Sequence, residues 1–519
     1  MNRHFVTTSI GAAGLCALFL VPMQGCTNLE EHPTSQVSPG NFFHTESEVL
    51  ATLAGVYAQL RGTLDDYYNL SEISSDEMIV PTRGQDWYDN GAWLEMHRQT
   101  WTASSVDGLG AIQGAWNNAL GGIARANVLL DAMPGVNVPN KAAITAEARV
   151  LRAFYYYTLL DMFGGAPLAT TGEIKPRPRS TRKELFDFIE SELLAARADL
   201  PDSWPAGMNG RITKGAANAI LASLYINAGV FTKDAGVSAT AYNSCSGITV
   251  TGGDACAQAI AAADAIINSG VYQLADTFVK NFRSDNATSP ENIFVIKFAD
   301  ADNLGLNFVM RALHYNQFTP TPWNGFSALA TVYNAFDAGD ARRNIFLIGP
   351  QVNLETGAPA KDRAGNPLIF TDTIKDITQA TEAEGPRIYK WPIDPGHVAQ
   401  NNGNDYAWFR LAEIMLIKAE ALNEQNPGDA GALALLNAVR ARDFNPANPV
   451  ATINHATILQ ERQFELTGEG KRRTDLIRFG LYTAPNMYKA ATTDAHFILM
   501  PIPQSQIDAN PLLVQNPGY

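Results

Sequence analysis

Three stretches of the chain concentrate side chains of the types that recognise or transform polyhydroxylated molecules. The first, residues 76–93, holds Asp76, Arg83, Trp87, Tyr88, Asn90 and Trp93. Sugars present apolar C–H faces and hydroxyl edges. A site for them needs flat aromatic surfaces, together with carboxylate, guanidinium and amide groups that hold pairs of hydroxyls. The second stretch, "HYNQFTPTPWNGF" (314–326), supplies Tyr315, Phe318, Trp323, Asn324 and Phe326. Pro320 and Pro322 stiffen its backbone and would hold Trp323 as a fixed projecting ring, which makes Trp323 the strongest single candidate for stacking. In both stretches the competing reading is that the rings anchor the loops, as Trp87, Trp93 and Trp101 would if they faced inward.

The third stretch, "ERQFELTGEGKRRTDLIRFG" (461–480), reads as a charged helix that places Glu461, Glu465 and Glu469 at four-residue spacing near Arg462, Arg472, Arg473 and Asp475. Two such carboxylates could serve a glycoside hydrolase as acid and base. Acids and bases at helical spacing ordinarily pair with each other, so this segment reads as ion-paired scaffold. "DAGDARRN" (337–344) lacks the alternating oxygen ligands of an EF-hand and reads as a turn held by Asp–Arg pairs. The eight histidines form no HxH or HxxxH pair, and no Gly-rich phosphate loop or GxSxG elbow occurs. The formal net charge is −14 and the longest basic run is Lys471–Arg473, which argues against nucleic acid as a partner.

Four cysteines are present. Cys16 lies in an uncharged apolar run after "NRH", the pattern of a secretory signal rather than of a spanning helix. "VPMQGC" (21–26) resembles a bacterial lipobox ending in Cys26, with Met23 where Leu is usual and Gln24 where a small residue is usual. Ordinary cleaved secretion is the alternative. Cys245 and Cys256 are separated by "SGITVTGGDA", flexible enough for a disulfide in an oxidising compartment; two free thiols are the alternative.

The elements that must position these residues are mostly helical. Apolar residues recur at three- and four-residue spacing in 46–64, 114–133, 141–164, 180–200, 213–230, 255–272, 405–425 and 428–444. Ser180 or Thr181 is placed as an N-cap, with Glu184 in the first turn. "NIFVIKFAD" looks like a strand. Residues 81–103 and 281–404 are rich in Asn, Gly, Pro and aromatics, the texture of long loops that carry binding. Small residues on the Ala-rich faces suit antiparallel pairs of the tetratricopeptide type, with an irregular helical domain as the alternative.

The segments "LEEHPTSQVSPGNFFHTESEVLATLAGVYAQL", "EARVLRAFYYYTLLDMFGGAPL", "FRLAEIMLIKAEALNE", "ILQERQFELTGEGKRRTDLIRFG" and "LMPIPQSQIDANPLLVQNPGY" together resemble the SusD/RagB family, in family order along the mature chain. The resemblance implies a mainly α fold: a tetratricopeptide-like helical-repeat scaffold with long aromatic-rich loops and little strand. It implies a signal peptide (1–25), a tether (26–40), an N-terminal helical region (41–230) and a C-terminal region (231–519) packed with it as one unit. It also implies a lipid anchor on Cys26, an outer-membrane location facing the exterior, and a nutrient ligand, most often an oligosaccharide, passed to a TonB-dependent transporter of the SusC type. Peptides or another nutrient are the alternative ligand. Family members are not catalysts and need no cofactor. Some hold structural calcium, which no residues of this sequence localise. By type and approximate spacing, Asp76 and Arg83 match the loop that holds sugar in the family's glycan sites.

Overall fold

Thr45 and Glu48 form a reciprocal capping box: the Thr45 side chain accepts from the Glu48 N–H, and the Glu48 carboxylate accepts from the Thr45 N–H. Helix α1 (Glu46–Ile73) starts there. The computed structural model describes residues 43, 45–104, 110–301 and 303–519; Cys16, Cys26 and the rest of the leader and tether lie outside them. After a short α2 (Ala92–Arg98) come α3 (Ala111–Ala132), α4 (Lys141–Phe163), α5 (Arg182–Ala196), α6 (Lys214–Ile226), a one-turn α7 (Ala228–Phe231) and α8 (Ala255–Ile267). Two short helices, α9 (Phe308–Ala312) and α10 (Ala330–Ala335), lie within the long irregular stretch. The chain closes with α11 (Leu411–Gln425), α12 (Ala430–Ala441), α13 (His455–Leu466), α14 (Arg472–Arg478) and α15 (Gln504–Ala509).

The long helices pack in succession: α1 on α3, α3 on α4, α4 on α5, α5 on α6, α6 on α8, α8 on α11, and α11 on both α12 and α13. This is the stacked antiparallel arrangement of a tetratricopeptide-like scaffold. Small residues permit it. A Cβ at Gly122 of α3 would stand 2.4 Å from the Tyr155 ring of α4. Residues Phe43–Tyr519 form one compact unit. Strands among the described residues occur as two-stranded antiparallel pairs. The pair that matters for the site joins Met78–Ile79 to Ser327–Ala328, bringing the first aromatic loop beside the second.

Thr181 caps α5 with Glu184 in a capping box, and the strand expected in "NIFVIKFAD" is Asn292–Ile296. Three expectations are corrected. Helix α1 runs nine residues past 64 to Ile73. Asp65, Asp66 and Asn69 blur its apolar stripe, yet each finds a partner in Arg311 or Asn118. Residues 406–410, expected as the start of a helix, form a strand paired with Asn292–Ile296. Their Tyr, Trp and Phe side chains are all buried, and aromatics favour that setting. Residues 461–480 are not one helix. Gly468 and Gly470 adopt φ of +75° and +71° and break the run between α13 and α14. Cys245 and Cys256 are joined by a disulfide that ties the preceding loop to the first turn of α8.

Candidate functional site

The two aromatic stretches meet at one surface. Trp87 Nε1 donates to the Trp323 carbonyl at 2.6 Å, and the Trp87 ring stands edge-on to Trp93 and Phe326 at 5.6 and 5.8 Å. Gly325 lies against the same indole; a Cβ there would come within 2.3 Å of it, so only glycine fits. Trp323 is half-buried and rests on Val309, Met310, Leu313 and Phe318, with its N–H donated to the Met310 carbonyl at 2.7 Å. Tyr88, in the turn that follows Trp87, is 57% exposed.

Polar groups gather beside these rings. Tyr315 donates its hydroxyl to Asp86 Oδ2 at 2.5 Å. The Arg363 guanidinium sits 4.3 Å over the Tyr315 ring and pairs with both Asp86 and Glu382. His314 Nε2 is 3.0 Å from Glu382 Oε2. Burial pushes the Tyr315 hydroxyl up to about 12, helped by its bond to Asp86. Burial opposes ionisation of Glu382, but hydrogen bonds from Arg363 and His314 outweigh it and hold the carboxyl below its ordinary range. Burial lowers the His314 imidazole. At neutral pH the face therefore presents a neutral phenol, a carboxylate at Glu382 and a guanidinium, all fixed by one another.

Several residues expected at this surface lie beneath it. Arg83 is 1% exposed. It donates to Ser327 Oγ at 2.9 Å, to the Glu384 carbonyl at 2.8 Å and to the Thr381 carbonyl, and burial lowers its guanidinium to about 10. Asn324 is fully buried, donating to the Glu382 carbonyl and accepting from Arg387. Asp76 is spent on Arg472, at 2.7 and 2.9 Å. Trp93 is buried, with its indole N–H on Asp89. Arg83, Asn324 and Trp93 form the framework, not the face, because each has a protein partner at depth that residue type alone does not reveal; Asp76 is half-buried, its carboxylate held by Arg472. Trp87 is half-buried between the two loops. Asn90 is exposed, in a left-handed turn with φ of 54°. Tyr315 and Trp323 stay at the surface, half-buried.

Asp86, Glu382 and Arg363 were not singled out in the sequence. Asp86 sat inside the stretch, but Glu382 and Arg363 come from loops nearly 300 residues later, with no local signal. Arg387 supports them from below, donating to Ser327 Oγ and to the Glu382, Glu384 and Gly385 carbonyls.

The carboxylates of 461–480 do different work. Glu465 accepts from Arg342, Arg410 and Arg442 at 3.1, 2.9 and 2.6 Å. Glu461 accepts from Arg342 and Arg440, and Glu469 from Arg410 and Lys390. All three are buried, and their partners come from distant segments rather than the same helix. Arg342 also holds Asp340, the Asp–Arg turn expected in 337–344. Lys471, Arg472 and Arg473 pair with Glu413, Asp76 and Asp161, so the one basic run is internal. Among the described residues no three His, Cys, Asp or Glu side chains gather as metal ligands do.

The helical stack and the aromatic face define a class of protein. Residues 325–519 match the model of the SusD family, and residues 29–226 match a model described as starch-binding associating with outer membrane. The chain belongs to the SusD/RagB family. It is 26% identical to SusD-like protein P2 of Formosa agariphila over 97% of this chain and 98% of that one. It is also 26% identical to the starch-binding protein SusD of Bacteroides thetaiotaomicron, over 87% of this chain and 85% of that one. In fold it is similar to a laminarin-binding SusD-like protein, with TM-score 0.73 and 24% identity over 92% of this chain and 100% of that one. It is similarly close to surface glycan-binding protein A from Bacteroides thetaiotaomicron in complex with laminarihexaose, with TM-score 0.70 and 20% identity over 91% and 99%.

Proposed function

We propose that this protein is a glycan-binding component of an outer-membrane uptake system, taking an oligosaccharide or polysaccharide on the face built by Tyr88, Tyr315 and Trp323. The observation that carries this reading is the coupling of Tyr315 to Asp86 and Arg363, and through Arg363 to Glu382, where the two aromatic stretches meet. Sugar C–H faces stack on the rings while the charged groups hold hydroxyl pairs. The starch-binding and laminarin-binding relatives support a sugar over a peptide. The ion-paired burial of Glu461, Glu465 and Glu469 supports binding rather than hydrolysis. In this reading Cys26 carries a lipid that anchors the chain to the outer membrane, facing outward, and the bound glycan passes to a SusC-type TonB-dependent transporter.

The test is calorimetry of the protein against laminarihexaose, maltohexaose and their parent polysaccharides. Saturable binding to at least one, weakened about tenfold or more by Trp323→Ala, is expected. Binding that Trp323→Ala leaves intact would remove this face from the reading. Replacing Cys26 by Ala should abolish lipid labelling and release the protein from membranes; a membrane-bound precursor would instead make the leader the anchor.

A further inference from the structure

A second cleft lies between the α5–α6 loop and the strand Asn292–Ile296, and shares no lining residue with the face described above. Its volume is about 150 Å³, of the order of one sugar ring, and it is open to the surface. Trp204, Tyr272, Asp202, Asn209, Arg211 and Ser289 line it. These are the groups a polyol needs: two aromatic rings, a carboxylate, an amide, a guanidinium and a hydroxyl.

The lining groups are held in place by protein partners. Trp204 donates its indole N–H to the Ile212 carbonyl at 2.8 Å, and the Arg211 guanidinium lies 3.8 Å over its ring. Arg211 is in turn fixed by Glu147, with Nε to Oε2 at 3.0 Å and Nη2 to Oε1 at 2.5 Å. Glu147 is fully buried and also accepts from Tyr57. Tyr57 completes the ring of contacts by accepting the Ile212 N–H at 2.8 Å. Across the cleft the Tyr272 hydroxyl is 3.0 Å from Thr213 Oγ1. Met208 and Val271 are exposed at the rim, 45% and 37%, offering apolar surface for C–H faces. Trp204 is thus clamped within its loop while lining the cleft, and such clamping is the preorganisation that lowers the entropic cost of binding.

We infer that this cleft is a second carbohydrate subsite, taking a single ring of a glycan. The inference rests on the glycan-binding reading above. Two separate sites of modest affinity on one chain would favour a polysaccharide over a short oligosaccharide through effective concentration.

The experiment is fluorine NMR of 5-fluorotryptophan-labelled protein, which contains eight tryptophans. Trp204→Phe and Trp323→Phe assign the two reporter lines. Titration with laminarihexaose and maltohexaose should move both lines, with different midpoints. The Trp204 shift should persist in Trp323→Ala. Tyr272→Ala should weaken the Trp204 midpoint about tenfold while leaving the Trp323 midpoint and the other lines unchanged, which also controls for folding. A Trp204 line that stays fixed while Trp323 moves overturns the second subsite and leaves the first face standing. Movement of Trp204 alone supports the subsite and overturns the first face. If neither line moves with either sugar, both fall.

Discussion

At the scale of single residues, depth separates side chains that sequence cannot tell apart. Trp323 and Arg363 are at the surface of the face; Arg83 is beneath it. Trp323→Ala removes a stacking ring but also strips cover from Met310, Leu313 and Phe318, so it should cost about 1–3 kcal/mol of stability as well as affinity. Arg363→Ala removes an exposed ion pair, which should change stability by less than about 1 kcal/mol, yet weaken glycan binding about fivefold. Arg83→Ala empties a buried side-chain volume and takes one donor each from the Thr381 and Glu384 carbonyls and the Ser327 hydroxyl, which keep the Glu384 N–H or Arg387, and should cost about 3 kcal/mol. Denaturant titration beside calorimetry on the three variants checks the ordering. An Arg83→Ala protein as stable as the wild type would contradict it. The residue types in 76–93 and 314–326 did mark the loops that meet. Which of their members face outward depends on Thr381, Glu384 and Arg387, far along the chain, and residue type carries no information about them.

At the scale of elements, the joint between α1 and the strand Met78–Ile79 sets where the first aromatic loop begins, and it holds two buried acids. Glu72 accepts the Gly470 N–H, and Glu77 accepts the Gly468 N–H at 3.1 Å. Burial, and then repulsion from Glu77, raises the Glu72 carboxyl well above 4.5; burial raises Glu77 to about 7, against the pull of Arg472. Between pH 4.5 and about 7 the unfolded chain releases protons that the folded chain keeps. This pair therefore reduces stability as pH rises through that window. Glu465 and Glu469 act in the opposite sense. Their folded carboxyls are held below 4.5 despite burial, by Arg442 and Arg410 for Glu465 and by Arg410 and Lys390 for Glu469. The stability they provide is lost as pH falls below that value. Glu72→Gln keeps a carbonyl for Gly470 and removes a titrating group. It should raise stability more at pH 8 than at pH 5, because the folded carboxyl it replaces is held above its ordinary range by burial and by Glu77. Equal effects at both pH values, by urea titration, would sink the assignment. The helices themselves were readable from spacing. Where the readings missed, as in 406–410 and 461–480, the local pattern was helical but β pairing with 292–296 and two left-handed glycines decided the outcome.

At the scale of the whole molecule, the loop region that forms the face must be fastened to the helical stack, and buried charge does much of that. Arg342 lies in the irregular stretch, Arg410 at the end of a strand, Arg442 after α12, and all three converge on Glu465 of α13. Glu291 joins from the strand side, accepting from Arg410 and Arg442 at 2.6 and 3.0 Å. No periodicity could announce this cluster, because its members are separated by up to 174 positions (465 minus 291) and each reads locally as an ordinary surface charge. Glu465→Gln preserves shape and one acceptor while removing the charge that three guanidinium groups share. A buried ion left without its partner costs about 3–5 kcal/mol, and added salt should recover none of it, because screening does not reach buried pairs. Since the cluster joins the irregular stretch, the strand Tyr406–Arg410 and helix α13, the loss should appear as one earlier cooperative unfolding transition rather than as local melting of the face. Denaturant unfolding followed by both tryptophan fluorescence and far-ultraviolet circular dichroism separates the cases. Coincident, shifted curves are expected; a fluorescence change that precedes the helical one would show instead that the loops detach first and that the cluster secures only the face.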